Sequence, residues 1–475
     1  MAIDKIIDRA ATISVSSTDV SDDANTSTGA LDIPVGTTAQ RPNPATSGNI
    51  RYNTDIQSTE IYDGTAWGKV SPLTPTISSV TGTVFTTFAS NLTLAGTNFL
   101  TANLVVGFTP SGGSETTVTV TPTSDSAATV AVPSAIYNQS GGTSVDVTVT
   151  NSDSRTSTAT SFTVSSLPTG GTILTDGNEK THIFTASSTN LVIPAGTSIS
   201  DVEYLVVAGG GGGGGNFRGG AGGAGGLLTS VTGDATATGG STQSKLTLTA
   251  GTWTINVGAG GTGVAYTFGT QGGNSTIVNP SSTTVVSAVG GGYGSFYQQN
   301  DAGDGGSGGG SGGAGASPYV SGLPGSGTSG QGNDGGRGAG SDSSTPQCGG
   351  GGGGAGAAGV DGGSGGTSGD GGNGVISTII STSEATANSV GEVIGSDVWF
   401  AGGGGAGAYG TGNNAPIGGN GGGAEGRYGD SPYNNGNDAS HPNTGGGGGG
   451  ASGTSSTFGT GGDGADGVII IRYTL

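Results

Sequence analysis

The chain reads Val202-Glu203-Tyr204-Leu205-Val206-Val207-Ala208 and then continues with seven glycines at positions 209–215. A matching pattern closes the chain, where residues 461–467 lead into Val468-Ile469-Ile470-Ile471-Arg472-Tyr473. Short apolar runs rich in Val and Ile are typical of buried strands. Because a disordered glycine tail needs no strand at either end, the two patterns predict a folded glycine-rich region that is anchored by β-strands.

The composition supports a folded region more than a disordered one. The chain has 475 residues, of which 107 are glycine, and such a share of glycine usually signals low complexity. Disordered chains tend to be rich in charge, whereas only 9% of these residues are charged. Strand-like segments such as Trp253-Thr254-Ile255-Asn256-Val257 also interrupt the glycine runs. We therefore expect residues 209–467 to be folded.

Charge and hydropathy exclude several classes of function. The formal net charge of -20 argues against binding to a nucleic-acid backbone, which requires clustered Lys and Arg, and it favours solubility. Cys348 is the single cysteine, so no disulfide can form within the chain, and we interpret it as a small structural residue. No apolar run reaches membrane-spanning length, and the charged N-terminus does not resemble a signal peptide. The expected place of synthesis is a cytoplasm.

The first residues carry a small apolar face. Ile3, Ile6 and Ile7 are spaced as on one side of a helical turn. So short a helix is unstable alone, which leaves two interpretations open: a frayed terminus, or a peptide that attaches the protein to a partner.

Residues 31–67 contain a specific motif. Pro and Gly punctuate short predicted strands at 49–53 and 60–62, and Asp63-Gly64 is a tight-turn pair. The segment runs from Leu31-Asp32-Ile33-Pro34-Val35-Gly36-Thr37-Thr38-Ala39-Gln40-Arg41-Pro42 to Trp67, and it resembles a segment of many bacteriophage fibre and other virion proteins. It departs from that pattern at Ile61. The resemblance implies a trimeric virion appendage, and a segment with so little apolar bulk needs such an association for stability.

Residues 73–166 alternate in the way that half-buried strands do. Thr117-Val118-Thr119-Val120 and Val145-Asp146-Val147-Thr148-Val149-Thr150 both have a period of two. Several such strands within about a hundred residues favour a β-sandwich. Leu92-Thr93-Leu94-Ala95-Gly96-Thr97-Asn98-Phe99 and the closing Ser161-Phe162-Thr163-Val164 resemble parts of IPT/TIG immunoglobulin-like domains, which implies a spacer or a carbohydrate-binding module.

The remaining residues resemble a phage-type glycine-rich domain. The likeness rests on residues 171–208 and on the ending Gly464-Ala465-Asp466-Gly467-Val468-Ile469-Ile470-Ile471-Arg472-Tyr473. Glycine permits close backbone approach, and a three-residue polyproline II turn leaves its peptide groups to bond with neighbouring segments. Ala221 and Ala224 are three apart, so they should share one edge of such a helix. Residues 375–400 look like ordinary β-structure, which argues against a pure bundle of glycine helices.

The sequence points away from catalysis. His182 lies in an alternating strand, and His441 lies in a polar loop far away in sequence. No nucleophile elbow, zinc-protease motif, paired cysteines or phosphate-binding loop occurs. One calcium nonapeptide pattern at residues 461–468 is not repeated in tandem and predicts no calcium site. We therefore predict no catalytic residues, no cofactor and no metal.

The scarce aromatic residues supply the candidate receptor-binding positions. Tyr293, Phe296 and Tyr297 form one group, and Tyr428 and Tyr433 form another among Asn, Gly and Pro. Exposed aromatic residues beside Asn and Asp are typical of recognition surfaces. The alternative interpretation is that these rings close the ends of the glycine bundle.

Together these patterns predict a mainly β chain with three parts. Residues 1–70 form an N-terminal virion-attachment and trimerisation segment, residues 71–166 an Ig-like β-sandwich, and residues 167–475 a glycine-rich domain of β-strands with polyglycine II-like packing. The expected function is that of a tail-fibre, receptor-binding protein. It would be assembled in a host cytoplasm and carried on the virion, with other virion proteins and a host polysaccharide or outer-membrane protein as partners. A head fibre or capsid decoration protein is the first alternative, and a polysaccharide depolymerase is the second.

Overall fold

The computed structural model describes residues 33–70, 74–100, 103–216, 218–297, 300–314, 321–340, 347–363, 367–408, 415–428, 435–454 and 457–475. The chain divides into two compact units, Met1–Thr74 and Pro75–Leu475. Each is mainly β-structure, as the sequence predicts. Within the described ranges, no helix is long and apolar enough to cross a membrane.

The first unit contains a small sheet with one polar and one apolar face. Its strands lie in the order β1-β2-β3-β4. On one face, the fully buried Glu60 carboxylate binds the Arg41 guanidinium at 2.6 Å and accepts hydrogen bonds from Asn53. On the other face, Ile50 and Ile61 are cross-strand partners that stay exposed. The elements are β1 (Val35–Gly36), a 3-10 helix (Thr38–Gln40), β2 (Ile50–Asn53), β3 (Ser58–Tyr62) and β4 (Trp67–Lys69).

A β-sandwich opens the second unit. One sheet has the strand order β11-β10-β7-β8 and the other β5-β6-β9. Alternate residues such as Leu92, Leu94, Val145 and Val147 are fully buried between the sheets, which confirms the predicted period of two. The elements are β5 (Thr76–Thr81), β6 (Asn91–Thr97), β7 (Leu104–Pro110), β8 (Thr116–Val120), β9 (Ala127–Ala131), α1 (Ser134–Tyr137), β10 (Ser144–Thr150) and β11 (Thr160–Thr163).

A large antiparallel sheet anchors the glycine-rich region. Its order is β12-β13-β24-β14-β16-β17-β18, with β15 paired to β14. The elements are β12 (Thr172–Asp176), β13 (Glu179–Phe184), β14 (Thr189–Val207), β15 (Leu227–Thr229), β16 (Leu246–Asn256), β17 (Ser275–Val278), β18 (Thr284–Ala288), β19 (Val375–Ile376), α2 (Thr382–Asn388), β20 (Glu392–Ile394), β21 (Asp397–Phe400), β22 (Gly453–Thr454), β23 (Thr457–Phe458) and β24 (Val468–Thr474).

The two strands that bracket the glycine-rich sequence are neighbours in this sheet. Leu205 of β14 pairs with Ile470 of β24, and Glu203 pairs with Arg472. The Arg472 guanidinium lies 2.6 Å from the Glu203 carboxylate. Because side chains alternate along the strands, Leu205 and Ile470 enter one hydrophobic core, whereas Val206 and Ile469 enter the core on the opposite face. The last strand therefore closes the region that β14 opens.

The glycines at 209–215 form the centre of a three-fold lattice. A helix with three residues per turn directs every third N–H group to the same side. The N–H groups of this segment accordingly donate to three neighbouring segments in turn, and its carbonyl groups accept from three other segments. The N–H groups of residues 209, 212 and 215 donate to the carbonyl groups of Gly273, Thr270 and Thr267 in one neighbouring segment. Those of residues 210 and 213 donate to Ala465 and Gly462 in a second segment. Those of residues 211 and 214 donate to Gly223 and Gly220 in a third. The carbonyl groups of 209 and 212 accept from Gly291 and Gly294, those of 211 and 214 from Gly448 and Ala451, and that of 210 from Gly261.

Close packing explains why this segment is glycine. A Cβ atom added to Gly212 would lie 2.2 Å from the Thr262 carbonyl oxygen, and one added to Gly209 would lie 2.0 Å from that of Ala259. Ala221 and Ala224 are both fully buried and donate to Gly350 and Gly353 of one neighbouring segment. The predicted common edge of these alanines is confirmed.

Acidic and amide side chains complete the hydrogen bonds at the outside of the lattice. Oδ1 of Asp301 accepts from the Leu323 N–H at 2.7 Å, and three residues later Asp304 accepts from the Ser326 N–H at 2.7 Å. Asp463 and Asp466 accept in the same way from Gly263 and Gly260. A side-chain oxygen of each of these four aspartates thus takes the place of the carbonyl of a further segment.

Residues 375–400 interrupt the lattice, as expected, although the insertion also contains helix α2. Its three strands lie in the order β19-β21-β20. Val375, Val398 and Phe400 pack into the same core as Leu205 and Ile470. The insertion therefore covers one face of the large sheet.

Candidate adhesive surface at the loop end

The glycine segments reverse direction at an end of the bundle that lies away from the large sheet, here called the loop end. A chain of backbone contacts defines it. Gly313 donates to the Arg218 carbonyl at 3.0 Å, Ala339 donates to Cys348 at 2.8 Å, and Ala408 donates to Arg427 at 3.0 Å. The opposite end, called the sheet end, contains β14 and β24. Segments that are distant in sequence therefore lie side by side at this end.

An aromatic cluster lies at the loop end. The Phe268 ring meets the rings of Tyr293 and Phe296 edge to face, with centroids 5.4 and 5.1 Å apart. The Arg218 guanidinium lies over the Tyr297 ring at 4.7 Å, and its Nη1 donates to the Ala314 carbonyl. Such contacts hold the rings in fixed orientations. Tyr293, Phe296 and Tyr297 are half-buried, so each ring both packs and presents an exposed part.

The other candidate positions have separate outcomes. Tyr428 is half-buried and follows Arg427 directly at the loop end. Tyr433, and the candidate attachment residues Ile3, Ile6 and Ile7, lie outside the described residues. The sequence interpretation did not include Tyr266, which is 61% exposed and whose ring lies 4.8 Å from that of Phe458. It also passed over Phe268. The sequence did contain a signal for these two residues, because a Tyr and a Phe stand two positions apart between glycine-rich segments.

Cys348 is a structural residue of this end. It is fully buried and bridges Ala339 and Ala408 on neighbouring segments. Burial raises the pKa of its thiol. The hydrogen bond with Ser368 and the positive charge of Arg218 act in the opposite direction but have smaller effects. The thiol is therefore protonated at neutral pH and a poor nucleophile.

The two histidines occupy different environments. His182 is fully buried, and burial lowers its pKa. His441 is partly exposed, and its Nδ1 lies 3.0 Å from Ser440 Oγ and 3.9 Å from Glu392 Oε1. Both partners face the same ring nitrogen, whereas a catalytic triad places the nucleophile and the acid on opposite nitrogens. This arrangement does not form a serine triad. Among the described residues, no group of three or more His, Cys, Asp or Glu could hold a metal ion.

A family model described as a glycine-rich domain matches residues 184–474, which is more than half of the chain. The chain belongs to this family. The matched range of the glycine-rich domain begins at the last residue of β13 and ends at the last residue of β24, so it contains the whole lattice and most of its anchoring sheet. No curated protein and no solved structure matches the chain.

The geometry of the glycine-rich domain suits binding. Its central peptide groups are bonded on all sides, so the scaffold loses little freedom when it binds a partner. Its loop end presents the exposed Tyr266 and the half-buried rings of Tyr293, Phe296 and Tyr297. Such a surface can recognise another molecule by shape and by hydrogen bonds.

Proposed function

We propose that this chain is a bacteriophage tail-fibre protein that binds a host surface through the loop end of its glycine-rich domain. One observation carries the proposal: the outer ends of the described glycine segments lie with the aromatic cluster at one end of the bundle, and the β-sandwich packs at the other. At the sheet end, the Lys180 ammonium of β13 lies 4.5 Å from the Phe88 ring of the sandwich. The chain therefore enters the bundle at the end remote from the proposed binding surface.

The first unit supports the attachment role. The sequence resemblance of residues 31–67 is to virion proteins, and the exposed apolar face around Ile50 and Ile61 suits association of identical chains. We propose a homotrimer at this unit, attached to other virion proteins. Host polysaccharide or an outer-membrane protein is the proposed target of the loop end.

A head fibre or capsid decoration protein would use the same parts. The position of the chain on the virus particle separates these two functions. Antibodies raised against the chain should label tail appendages of virions in electron micrographs. Labelling of the head shell would favour the alternative, and unlabelled virions would contradict both.

A competition experiment tests the binding role. The purified full chain should occupy receptors on host cells and reduce plaque formation by the same virus. The variant Tyr297→Ala should compete less well, because it removes an oriented ring from the loop end. The matched control Ile173→Ala changes an exposed apolar residue of β12 and should compete like the unmodified chain. Equal competition by all three proteins would contradict the proposed surface.

A further inference from the structure

A polar groove lies on the side of the glycine bundle, apart from the aromatic cluster. Its volume is about 540 Å³, within the range of roughly 300–1,000 Å³ that is usual for ligand sites. Two outer segments, 417–420 and 437–441, form its walls, and Gly423 of a third segment lies at its floor. Glu392 of β20 lines it as well.

The backbone behind the groove is hydrogen-bonded to both of its walls. Gly423 donates to the Gly419 carbonyl at 3.1 Å, and Ser440 donates to the Gly422 carbonyl at 3.1 Å. The segment that contains residues 422 and 423 thus joins the two walls from behind. The space between the two walls is lined by side chains of the described residues, and no further described glycine segment fills it.

Several of these side chains have unused hydrogen-bonding capacity. Within the described part of the chain, the side chains of Asn420, Glu425 and Asn437 make no hydrogen bond. Each amide offers two N–H donors and one carbonyl acceptor, and each carboxylate offers acceptors. The Asp438 carboxylate uses Oδ1 to accept from the Asp463 N–H at 2.9 Å. Donors and acceptors are therefore mixed along one concave surface.

The charge of the lining selects among polar ligands. The described lining contains the carboxylates of Glu392, Glu425 and Asp438 and the imidazole of His441, and it contains neither Lys nor Arg. Like charges facing one another are unfavourable, so phosphate, sialic acid and uronic acid groups are disfavoured. Ile417 is 60% exposed at the rim and offers an apolar contact. Hydroxyl groups and an apolar C–H face together are features of an uncharged sugar.

We propose that this groove binds an uncharged oligosaccharide, with Asn420 and Asn437 as the main hydrogen-bonding residues. The proposal does not depend on adhesion at the loop end. The two sites lie on different surfaces of the bundle, and each can be removed without the other.

A glycan array tests the proposal with the full chain. The probes are uncharged oligosaccharides, with sialylated and uronate-containing oligosaccharides as charged comparators. We expect binding to uncharged probes and at least tenfold weaker binding to the charged comparators. The double variant Asn420→Ala/Asn437→Ala should lose at least tenfold in apparent affinity for the bound probe. Its melting temperature should stay unchanged, because neither side chain bonds within the described part of the fold.

A control variant matches the loss of asparagine side chains. Asn178→Ala changes an exposed asparagine in the turn between β12 and β13 and should bind the probe like the unmodified chain. Loss of binding in Tyr297→Ala with retention in the double variant would place sugar binding at the loop end and overturn the proposal. A lack of signal with every uncharged probe, or preference for charged probes, would also overturn it.

Discussion

The Tyr473 hydroxyl lies 2.8 Å from Nε2 of His182, although the two residues are 291 positions apart. Nδ1 of the same ring lies 2.7 Å from the Gly170 carbonyl oxygen. A neutral imidazole satisfies both contacts when Nδ1–H donates to the carbonyl and Nε2 accepts from the hydroxyl. This interaction joins β13 to the final strand through the interior of the sheet.

Acidification should destabilise the second unit through His182. Burial holds its pKa below the ordinary 6.5, so the unfolded chain binds the proton more readily than the folded chain. The stabilisation is complete above pH 6.5 and is lost as the pH falls towards the folded pKa, by at most about 1.4 kcal/mol per pH unit. Thermal unfolding between pH 7.5 and 5.5 should show this loss in the unmodified chain and a flatter dependence in His182→Gln. Equal slopes in the chain and in His182→Gln would refute this role.

Gly212→Ala should strongly destabilise the lattice. The new Cβ would lie 2.2 Å from the Thr262 carbonyl oxygen. Because both atoms belong to or are attached directly to the backbone, only a backbone movement could relieve this clash. Overpacking of this kind costs about 1–3 kcal/mol or more, which denaturant unfolding would measure. The control Gly363→Ala brings its Cβ to 2.3 Å from the Thr367 hydroxyl, which can rotate away. Equal stabilities of the two variants would contradict the packing argument.

Substitution of Tyr428 and Tyr433 by Ala should weaken adsorption to host cells. Aromatic anchors usually carry a large part of a binding energy, and losses of about 1–2 kcal/mol correspond to roughly five- to thirtyfold. Adsorption rates of labelled full chain measure the effect, and an unchanged melting temperature shows that the fold is intact. Adsorption that depends on the β-sandwich and is unaffected by these tyrosines would make the assignment wrong.

The full chain should form a trimer through its first unit. The exposed apolar residues of the small sheet, such as Val35 at 68% and Ile50 at 45%, are costly to leave in water. Light scattering should give three times the chain mass. Ile50→Asp/Ile61→Asp should shift the mass towards that of one chain, whereas Ile173→Asp, at a comparably exposed apolar site in β12, should not. A monomeric unmodified chain would disprove the trimer.

Purified full chain should release no reducing ends from host polysaccharide. Glycoside hydrolysis requires two carboxyl groups at defined positions across the bond that is cleaved, whereas the proposed role of the groove is to bind a sugar through Asn420 and Asn437. Release that increases with protein concentration and is abolished in Glu425→Gln would show instead that the chain is a depolymerase.

Strands and glycine packing differ in how far the sequence predicts them. The sequence predicts the strands around Val145 and Val147 and the strands β14 and β24. These strands bury particular side chains, and the pattern of apolar residues therefore shows where they lie. The spacing of Ala221 and Ala224 also indicated a three-fold helix. Which segments become neighbours could not be inferred, since a glycine run has no side chains that specify a partner.

The candidate site shows the same difference. Tyr293, Phe296 and Tyr297 were found because they are adjacent in sequence. Their contacts with Phe268 and Arg218 depend on which segments meet in the lattice, and the groove depends on how residues 417–420 and 437–441 are placed beside each other. Neither can be deduced from local spacing.

The aspartates on the outer segments have a consequence for the behaviour of many such molecules in one solution. A lattice of glycine helices has no intrinsic boundary, and any uncovered N–H group could recruit another chain, as exposed sheet edges do in aggregation. Asp304, Asp463 and Asp466 occupy those N–H groups and place negative charge beside them. These aspartates therefore remove free N–H groups at which a second chain could extend the glycine lattice sideways.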